Sequence, residues 1–350
     1  MPKFHALIFL IILVMSGCSP RGEMVFLDVP SATNLQRVHV ATEREVFSTD
    51  ENLFGEQRST KMRFGVAEVS IPPNHKRGSI EWPRGKPDAK RHFVTHSKTR
   101  YRSQDSFVAS VQDLQSVQDE TMIFVHGFNV TNAEAVYRVA QIKNDYDING
   151  EAVLYSWPSA GHPAGYVYDR DSVFFSRDGL ETLIRALTNA PDRKVFLVAH
   201  SMGSQLVMET LRQLSLLGDK RTLSRISAVV LMSPDIDPDV FRRQFERIDP
   251  APERTVIFTN SSDRALGVSG FLTRKKNRLG AITDTTKLQG LPVTVVDLSN
   301  ISDGDRSNHN VAATSPSAIR FLDGLLADGT LEPRSKVRVI RAPLRTNAAR

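Results

Sequence analysis

Residues 194–204 read KVFLVAHSMGS, and the fold turns on how that stretch is read. Lys194 to Ala199 is an apolar run of strand length, and Met202 to Leu217 repeats its apolar residues at helical spacing. The chain must therefore pass from strand to helix within His200 and Ser201. In Ala199-His200-Ser201-Met202-Gly203, small residues stand two before and two after the serine, where strand and helix come closest. Gly203 keeps one of these places as glycine. Ala199 adds one methyl group at the other, which such a turn tolerates far better than a branched side chain. The pattern lifts Ser201 to the tip of the strand, with its hydroxyl toward a cleft.

Outward from this turn, short apolar runs alternate with amphipathic stretches. Thr121–Val125, Ala152–Trp157, Ile226–Met232, Thr255–Thr259 and Val293–Leu298 read as strands, and Asn132–Lys143 and Asp178–Leu187 as helices. Two earlier segments, Arg37–Phe47 and Arg63–Ile71, are also strand-like. Strands that are apolar throughout, with helices between them, predict an α/β fold with a mostly parallel central sheet and helices on both faces. The pattern holds over residues 37–327 as one domain, with a basic C-terminal tail over 328–350 that is expected to be mobile. Pro72 to Arg102 reads as loop, with Lys76, Arg77, Arg84, Lys86, Lys90 and Arg91 among its cations and only Glu81 and Asp88 opposing them. A solvated basic face is the expected role. His92 and His96 have the spacing of helical metal ligands, but Phe93, Val94 and Thr95 favour a strand and no carboxylate adjoins the pair. No metal site is expected there.

Composition narrows the function. Hydrophobic residues at 40% and charged residues at 24% exclude disorder for most of the 350 residues. The net charge of +6 comes with no recognition motif, so nucleic acid is not an expected partner. One cysteine excludes an internal disulfide and a cysteine-rich zinc site. That cysteine, Cys18, follows Lys3, the apolar run Ala6–Met15, Ser16 and Gly17. The run suits a signal-peptide core and is too short to span a bilayer. Small residues directly before a cysteine resemble the bacterial lipoprotein signal, although Met15 stands where that pattern usually has Leu, Val or Ile. The favoured reading is a signal over residues 1–17, lipidation of Cys18, and a tether over 18–36. An ordinary secretory signal or an uncleaved anchor remains open. The first reading places the protein in the cell envelope, lipid-anchored on the periplasmic side; without lipidation it would be periplasmic or secreted.

A serine hydroxyl needs a base to become a nucleophile. In a strand–turn–helix serine site of this kind the chain order is serine, acid, histidine. Of the nine histidines only His309 follows Ser201, apart from which His200 adjoins the serine and should leave the turn in another direction. His309 is the base by elimination. The acid lies after one of two strands: Asp263, which is favoured, or Asp235. Asp237, followed by Pro238, reads as a helix N-cap. The oxyanion formed in acyl transfer needs N–H donors. These are assigned to Met202, directly after the serine, and to Phe128 in Val125-His126-Gly127-Phe128-Asn129, where Gly127 allows close approach. No metal or organic cofactor is required.

The sequence resembles the α/β-hydrolase superfamily, and most closely a bacterial esterase/lipase-like family of poorly defined substrate. The resemblance is carried by FGVAEVSIPPNHKRGSIEWP (64–83), FVHGFNVT (124–131), YSWPSAG (155–161), GYVYDRDSVFFSRDGLETLIRAL (165–187), VAHSMGS (198–204), LMSPDIDPDVF (231–241) and TNSSDRAL (259–266), with the surroundings of His309. It covers about residues 38–325. It implies the α/β-hydrolase fold, with Ser201 as nucleophile, Asp263 as acid and His309 as base, and it implies no particular substrate. Tyr155, Trp157, Tyr166, Tyr168, Phe174 and Phe175 are candidates for an acyl pocket, with core packing the favoured role for most. The functional expectation is a serine hydrolase of the cell envelope acting on a small-molecule or lipid carboxylic ester. Thioesters and amides use the same machinery. The alternative is a catalytically silent lipoprotein that uses the fold to bind a lipid, glycan or protein.

Overall fold

The computed structural model describes residues 21–29, 34–46, 53–114, 120–272, 277–321 and 337–341. The signal segment and Cys18 lie outside the described residues. The strands are β1 (Leu35–Arg44), β2 (Arg58–Ser70), β3 (Val94–Tyr101), β4 (Thr121–Val125), β5 (Ala152–Ser156), β6 (Val195–His200), β7 (Ile226–Met232), β8 (Arg254–Thr259), β9 (Thr294–Asp297) and β10 (Arg338–Arg341). The helices are α1 (Gln104–Asp113), α2 (Asn132–Asp145), α3 (Tyr166–Phe175), α4 (Arg177–Leu187), α5 (Met202–Leu216), α6 (Lys220–Leu223), α7 (Pro238–Phe245), α8 (Arg264–Leu272) and α9 (Val311–Thr314).

The strands form one sheet in the order β10-β9-β8-β7-β6-β4-β5-β1-β2-β3. From β9 to β1 every pairing is parallel, while β10, β2 and β3 pair antiparallel at the two ends. All residues of β4 and β5 are buried, as expected where helices cover both faces. Alternation along the strands divides the core. Ile123 and Val125 pack with Leu180 and Leu183 of α4 and Leu206 of α5, whereas Met122 and Phe124 pack with Val136 and Val139 of α2. The expected parallel sheet with helices on both faces is what the chain forms.

Three expectations are corrected at the margins. The segment from Pro72 to Arg102 is not loop throughout, because β3 occupies its end and pairs with β2 over Phe64–Ser70. Its cations Lys98 and Arg100 stand on an edge strand, where charge discourages pairing with another chain. The tail is not uniformly irregular either. Arg338-Val339-Ile340-Arg341 pairs with β9, and its two apolar residues pack on opposite faces of the sheet. Nor do residues 21–29 behave as a free tether. Met24 is buried, Thr95 N–H donates to the Val25 carbonyl at 2.8 Å, and Leu27 N–H donates to the Thr95 carbonyl at 3.2 Å.

Candidate active site

Ser201 sits at the tip of β6, directly before α5, and is 4% exposed. Its backbone has φ 53° and ψ −120°, a conformation that costs about 1–3 kcal/mol in a non-glycine residue. The end of β7 holds it there: Ser201 N–H donates to the Met232 carbonyl at 2.9 Å, and Asp235 N–H donates to the Ser201 carbonyl at 3.1 Å. Gly203 is required by closeness, since a Cβ at that position would collide with the carbonyls of Val125 and His126. At Gly127 a Cβ would lie 2.7 Å from His200 Nδ1 and 3.0 Å from the Ser201 Cβ. The turn after β4 therefore lies directly against the serine, which brings Phe128 and Met202 to its surroundings. Met202 opens α5, so its N–H belongs to the helix turn that has no intrahelical acceptor.

His309 lies in an irregular loop after β9, following Asn308 at φ 57°. One carboxylate organises this loop. Asp305 accepts from the backbone N–H groups of Ser307 at 3.1 Å, His309 at 3.2 Å and Asn310 at 2.7 Å, and from the Ser307 hydroxyl. Burial alone would raise the Asp305 pKa, but these bonds outweigh it and hold the group below its ordinary range. His309 Nδ1 donates to Asp263 Oδ2 at 2.7 Å, and the Asp263 side chain is fully buried. In a neutral imidazole this leaves Nε2 unprotonated and free to accept a proton. Asp263 is fixed in turn by Leu266 N–H, which donates to Oδ1 at 2.9 Å. No hydrogen bond joins Ser201 Oγ to His309 among the described residues. Such contacts are often long before substrate binds.

His200, next to the serine in sequence, faces the Gly127 turn and the loop that carries His309. Its ring meets His309 edge-on at 4.6 Å, and Nε2 lies 3.3 Å from the His309 carbonyl. A carbonyl only accepts, so Nε2 carries the proton. Burial, followed by the charge of His309, drives the His200 pKa well below the ordinary value, so the ring is neutral.

Asp235 faces elsewhere. It accepts from Ser269 Oγ at 2.7 and 2.8 Å and from the Tyr166 hydroxyl at 3.0 Å, and it pairs with Arg278 at 3.1 Å. This side-chain cluster ties α3 to α8. Asp237 is the N-cap of α7, accepting from Asp239 N–H and Val240 N–H. Of the aromatic candidates, Tyr155 and Trp157 are fully buried core residues and Phe174 is exposed. Tyr166 packs edge-on against Phe128 at 5.4 Å.

The loop after β4 is held by a buried ion set that the sequence pattern does not single out. Asp169, on α3, accepts from Asn129 N–H at 3.0 Å, Ser159 Oγ at 2.6 Å and Ala160 N–H at 2.7 Å. Arg44, at the end of β1, is fully buried and donates to the carbonyls of Val130 and Gly55 at 3.1 Å and Ser159 at 3.2 Å. From outside, Arg21 donates to the Asn129 carbonyl at 2.9 Å and its Oδ1 at 3.0 Å. The sequence does not mark Arg44 out, since it stands between Glu43 and Glu45 at the end of a strand that also carries Arg37 and His39.

A cavity of about 320 Å³ opens beside these groups, lined by Gly127, Phe128, His200, His309 and Arg138. Ile80 and Trp82 form its far wall, so the basic segment read as a solvated face also closes the cavity. Trp82 stacks on Tyr137 at 4.8 Å, and His75 fastens the segment to α2 through Asp145 at 2.8 Å. Among the described residues no cluster of His, Cys, Asp and Glu could hold a metal ion.

The largely parallel sheet, the strained serine turn after β6 and the acid–histidine pair at the same sheet edge define an α/β-hydrolase fold. The chain belongs to the alpha/beta hydrolase family of unknown function DUF900, whose profile matches residues 103–326. A stretch of 63 residues is 44% identical to the uncharacterised protein alr1448 of Nostoc sp.; it spans 18% of this chain and only 16% of that protein. Among solved structures, the chain is similar to a dienelactone hydrolase from Anabaena variabilis, at 12% identity and TM-score 0.36 over 76% of this chain and 90% of that one. It is also similar to Aspergillus fumigatus lipase B, at 11% identity and TM-score 0.38 over 65% and 58%. A putative hydrolase of Xanthomonas campestris shows 18% identity and TM-score 0.32 over 59% and 98%.

Proposed function

We propose that this protein is a serine hydrolase acting on carboxylic esters, with Ser201 as nucleophile, His309 as general base and Asp263 as the acid that orients it. The observation that carries this reading is the 2.7 Å bond from His309 Nδ1 to a buried Asp263, at the sheet edge where Ser201 is held in a strained turn. Ser201 Oγ attacks the acyl carbon as its proton passes to His309 Nε2, and the carbonyl π electrons move to oxygen. The N–H groups of Met202 and Phe128 are assigned to that oxyanion. Collapse breaks the bond to the alcohol, which leaves with the proton from His309. Water then attacks the acyl-serine as His309 again takes the proton; the acyl–Oγ bond breaks, His309 returns the proton to Ser201 Oγ, and the acid is released. These steps need no metal or cofactor.

The same reading places the enzyme on a membrane through lipidated Cys18. Arg21, three residues after that cysteine, is bonded to Asn129 beside the proposed oxyanion loop. Three residues reach at most about 10 Å, so in this reading the anchor would lie within that distance of Arg21. Labelling with a fluorophosphonate probe tests the chemistry. The wild type is expected to be labelled on Ser201 and Ser201→Ala to stay unlabelled; labelling that persists in the variant removes Ser201 from the role.

A further inference from the structure

Arg138 projects from α2 into the wall of the 320 Å³ cavity that His309 and the Gly127–Phe128 turn also line. Trp82, Phe124, Met232 and Ala313 supply apolar surface to the same wall, and Asn129 and Asn310 stand among its polar residues. Among the described residues no carboxylate lies within 4.0 Å of its guanidinium, whose hydrogen bond goes to Gln141 Oε1 at 2.6 Å. Glu134, the one carboxylate among the described wall residues, is taken by Arg21 at 2.6 Å and by the N–H groups of Thr131 and Gly22. Asp145 and Asp305 attract Arg138 from farther away, but both are already in use. Asp145 accepts from His75, Gly78, Gln141 and Asn144, and Asp305 holds the histidine loop.

Arg138 is half-buried, and a partly desolvated cation without a close counter-ion carries a cost unless something else supplies the charge. Burial moves the Arg138 pKa down to about 10, against the pull of Asp305 and Asp145. Its charge also reaches His200, so the guanidinium stands near the proposed reacting groups. The planar donor fork matches a carboxylate held by two parallel hydrogen bonds.

We propose that Arg138 binds a carboxylate carried by the substrate, so that the enzyme acts on esters bearing a second, anionic group. This rests on the assignment of Ser201 and His309 as the reacting pair. The carboxylate belongs to either the acyl or the alcohol portion, and the chemistry of the subsite is the same in both cases.

The test compares esters with and without a carboxylate. 4-Nitrophenyl hemisuccinate against 4-nitrophenyl butyrate places the charge on the acyl side; 4-acetoxybenzoate against phenyl acetate places it on the leaving group. The wild type is expected to prefer the anionic member of one pair in kcat/KM. In Arg138→Gln the anionic-to-neutral ratio for that pair should fall on the order of 10- to 100-fold, mainly through KM, and Arg138→Lys should recover part of it. A wild type with no preference in either pair overturns the proposal. So does an equal loss on both members accompanied by a lower melting temperature, which makes Arg138 a counter-charge for Asp305 and Asp145. Calorimetry gives a reading independent of turnover. Monomethyl succinate should bind Ser201→Ala protein more tightly than dimethyl succinate does, and the added Arg138→Gln change should remove the difference. That pattern without fluorophosphonate labelling of the wild type would sink the serine mechanism and leave the subsite standing; equal binding of the two compounds would sink the subsite.

Discussion

The turn that carries Ser201 and the loop that carries His309 meet at one edge of the sheet, and different forces hold them there. Around Ser201 the backbone does the holding. Strand β6, helix α5 and the end of β7 fix the residue through main-chain hydrogen bonds, and Gly203 lets α5 approach the carbonyls of β4. Around His309 side chains do it. Asp305 gathers three N–H groups, Asp263 holds the ring, and His200 meets the carbonyl. A main-chain scaffold is rigid because it belongs to the sheet. A side-chain scaffold is adjustable, and it depends on the protonation state of its parts.

The largest expected effect is at the side-chain half. Asp263→Asn keeps the shape but removes the charge that, in the proposed mechanism, stabilises the imidazolium and selects the tautomer. The analogous change in a serine protease triad costs about 10⁴-fold in kcat. A comparable loss is expected here with an unchanged melting temperature, measured on a short activated ester. Asp235→Asn should lose far less turnover, since Asp235 serves Ser269, Tyr166 and Arg278. Near-normal turnover in Asp263→Asn would break the comparison at once. The main-chain half should respond oppositely. Gly203→Val drives carbon into the carbonyls of Val125 and His126, which cannot move without the sheet. We expect a cost of about 3 kcal/mol or more, read as a drop in melting temperature of roughly 6–12 °C. An unchanged melting temperature would mean that the elbow is softer than its bonding implies.

The same division explains what the sequence made legible. The serine turn is written in contiguous residues, an apolar run followed by small residues at two fixed places, and so the strand, the turn and the helix could each be read. His309 could be reached only by elimination, and Asp263 only as the favoured one of two strand-end acids. Asp305, Asp169 and Arg44 left no such mark, because their partners are backbone and hydroxyl groups that only folding brings around them. Asp305 looks in sequence like any turn residue in a polar loop. The segment around Trp82 was hidden by charge: counting its cations predicted a solvated face, while Ile80 and Trp82 between them form a cavity wall. Strand β10 was concealed in the same way, two apolar residues flanked by arginines.

A smaller change tests how the histidine loop is tuned. Asp305→Asn preserves volume but replaces one accepting oxygen with a donor, so at least one of the N–H groups of Ser307, His309 and Asn310 loses its partner. An unsatisfied or weakened bond of this kind is worth about 1–3 kcal/mol locally. We expect kcat to fall roughly 10- to 100-fold, with faster amide exchange over residues 303–312 and no change over 195–206. Loosening of both segments together would show that the two halves are one cooperative unit.

The smallest expected effect separates the halves by pH, using the two tryptophans of the chain as reporters. Trp82 stacks on Tyr137 in the segment that His75 fastens to α2, and Gly78 of that segment packs against the Thr314 carbonyl at the end of α9. Trp157 is buried on the elbow side, stacked on His126 and donating to its carbonyl at 2.7 Å. Burial alone would lower the His75 pKa, but bonds to Asp145 and Glu81 outweigh it and raise the value to about 9. A histidine whose folded pKa is raised contributes stability that is complete below its ordinary value of about 6.5 and is lost as pH rises through about 9. His126 behaves differently: burial, with the charge of Arg44, lowers it to about 3, so it stays neutral across that window. In Trp157→Phe protein, the emission of Trp82 should therefore shift to longer wavelength between pH 6.5 and 9.5, and adding His75→Gln should remove the shift. In Trp82→Phe protein, the emission of Trp157 should not move over the same range. If Trp157 shifts as far as Trp82 does, the pH sensitivity does not belong to the side-chain-held half, and the distinction between the two scaffolds fails.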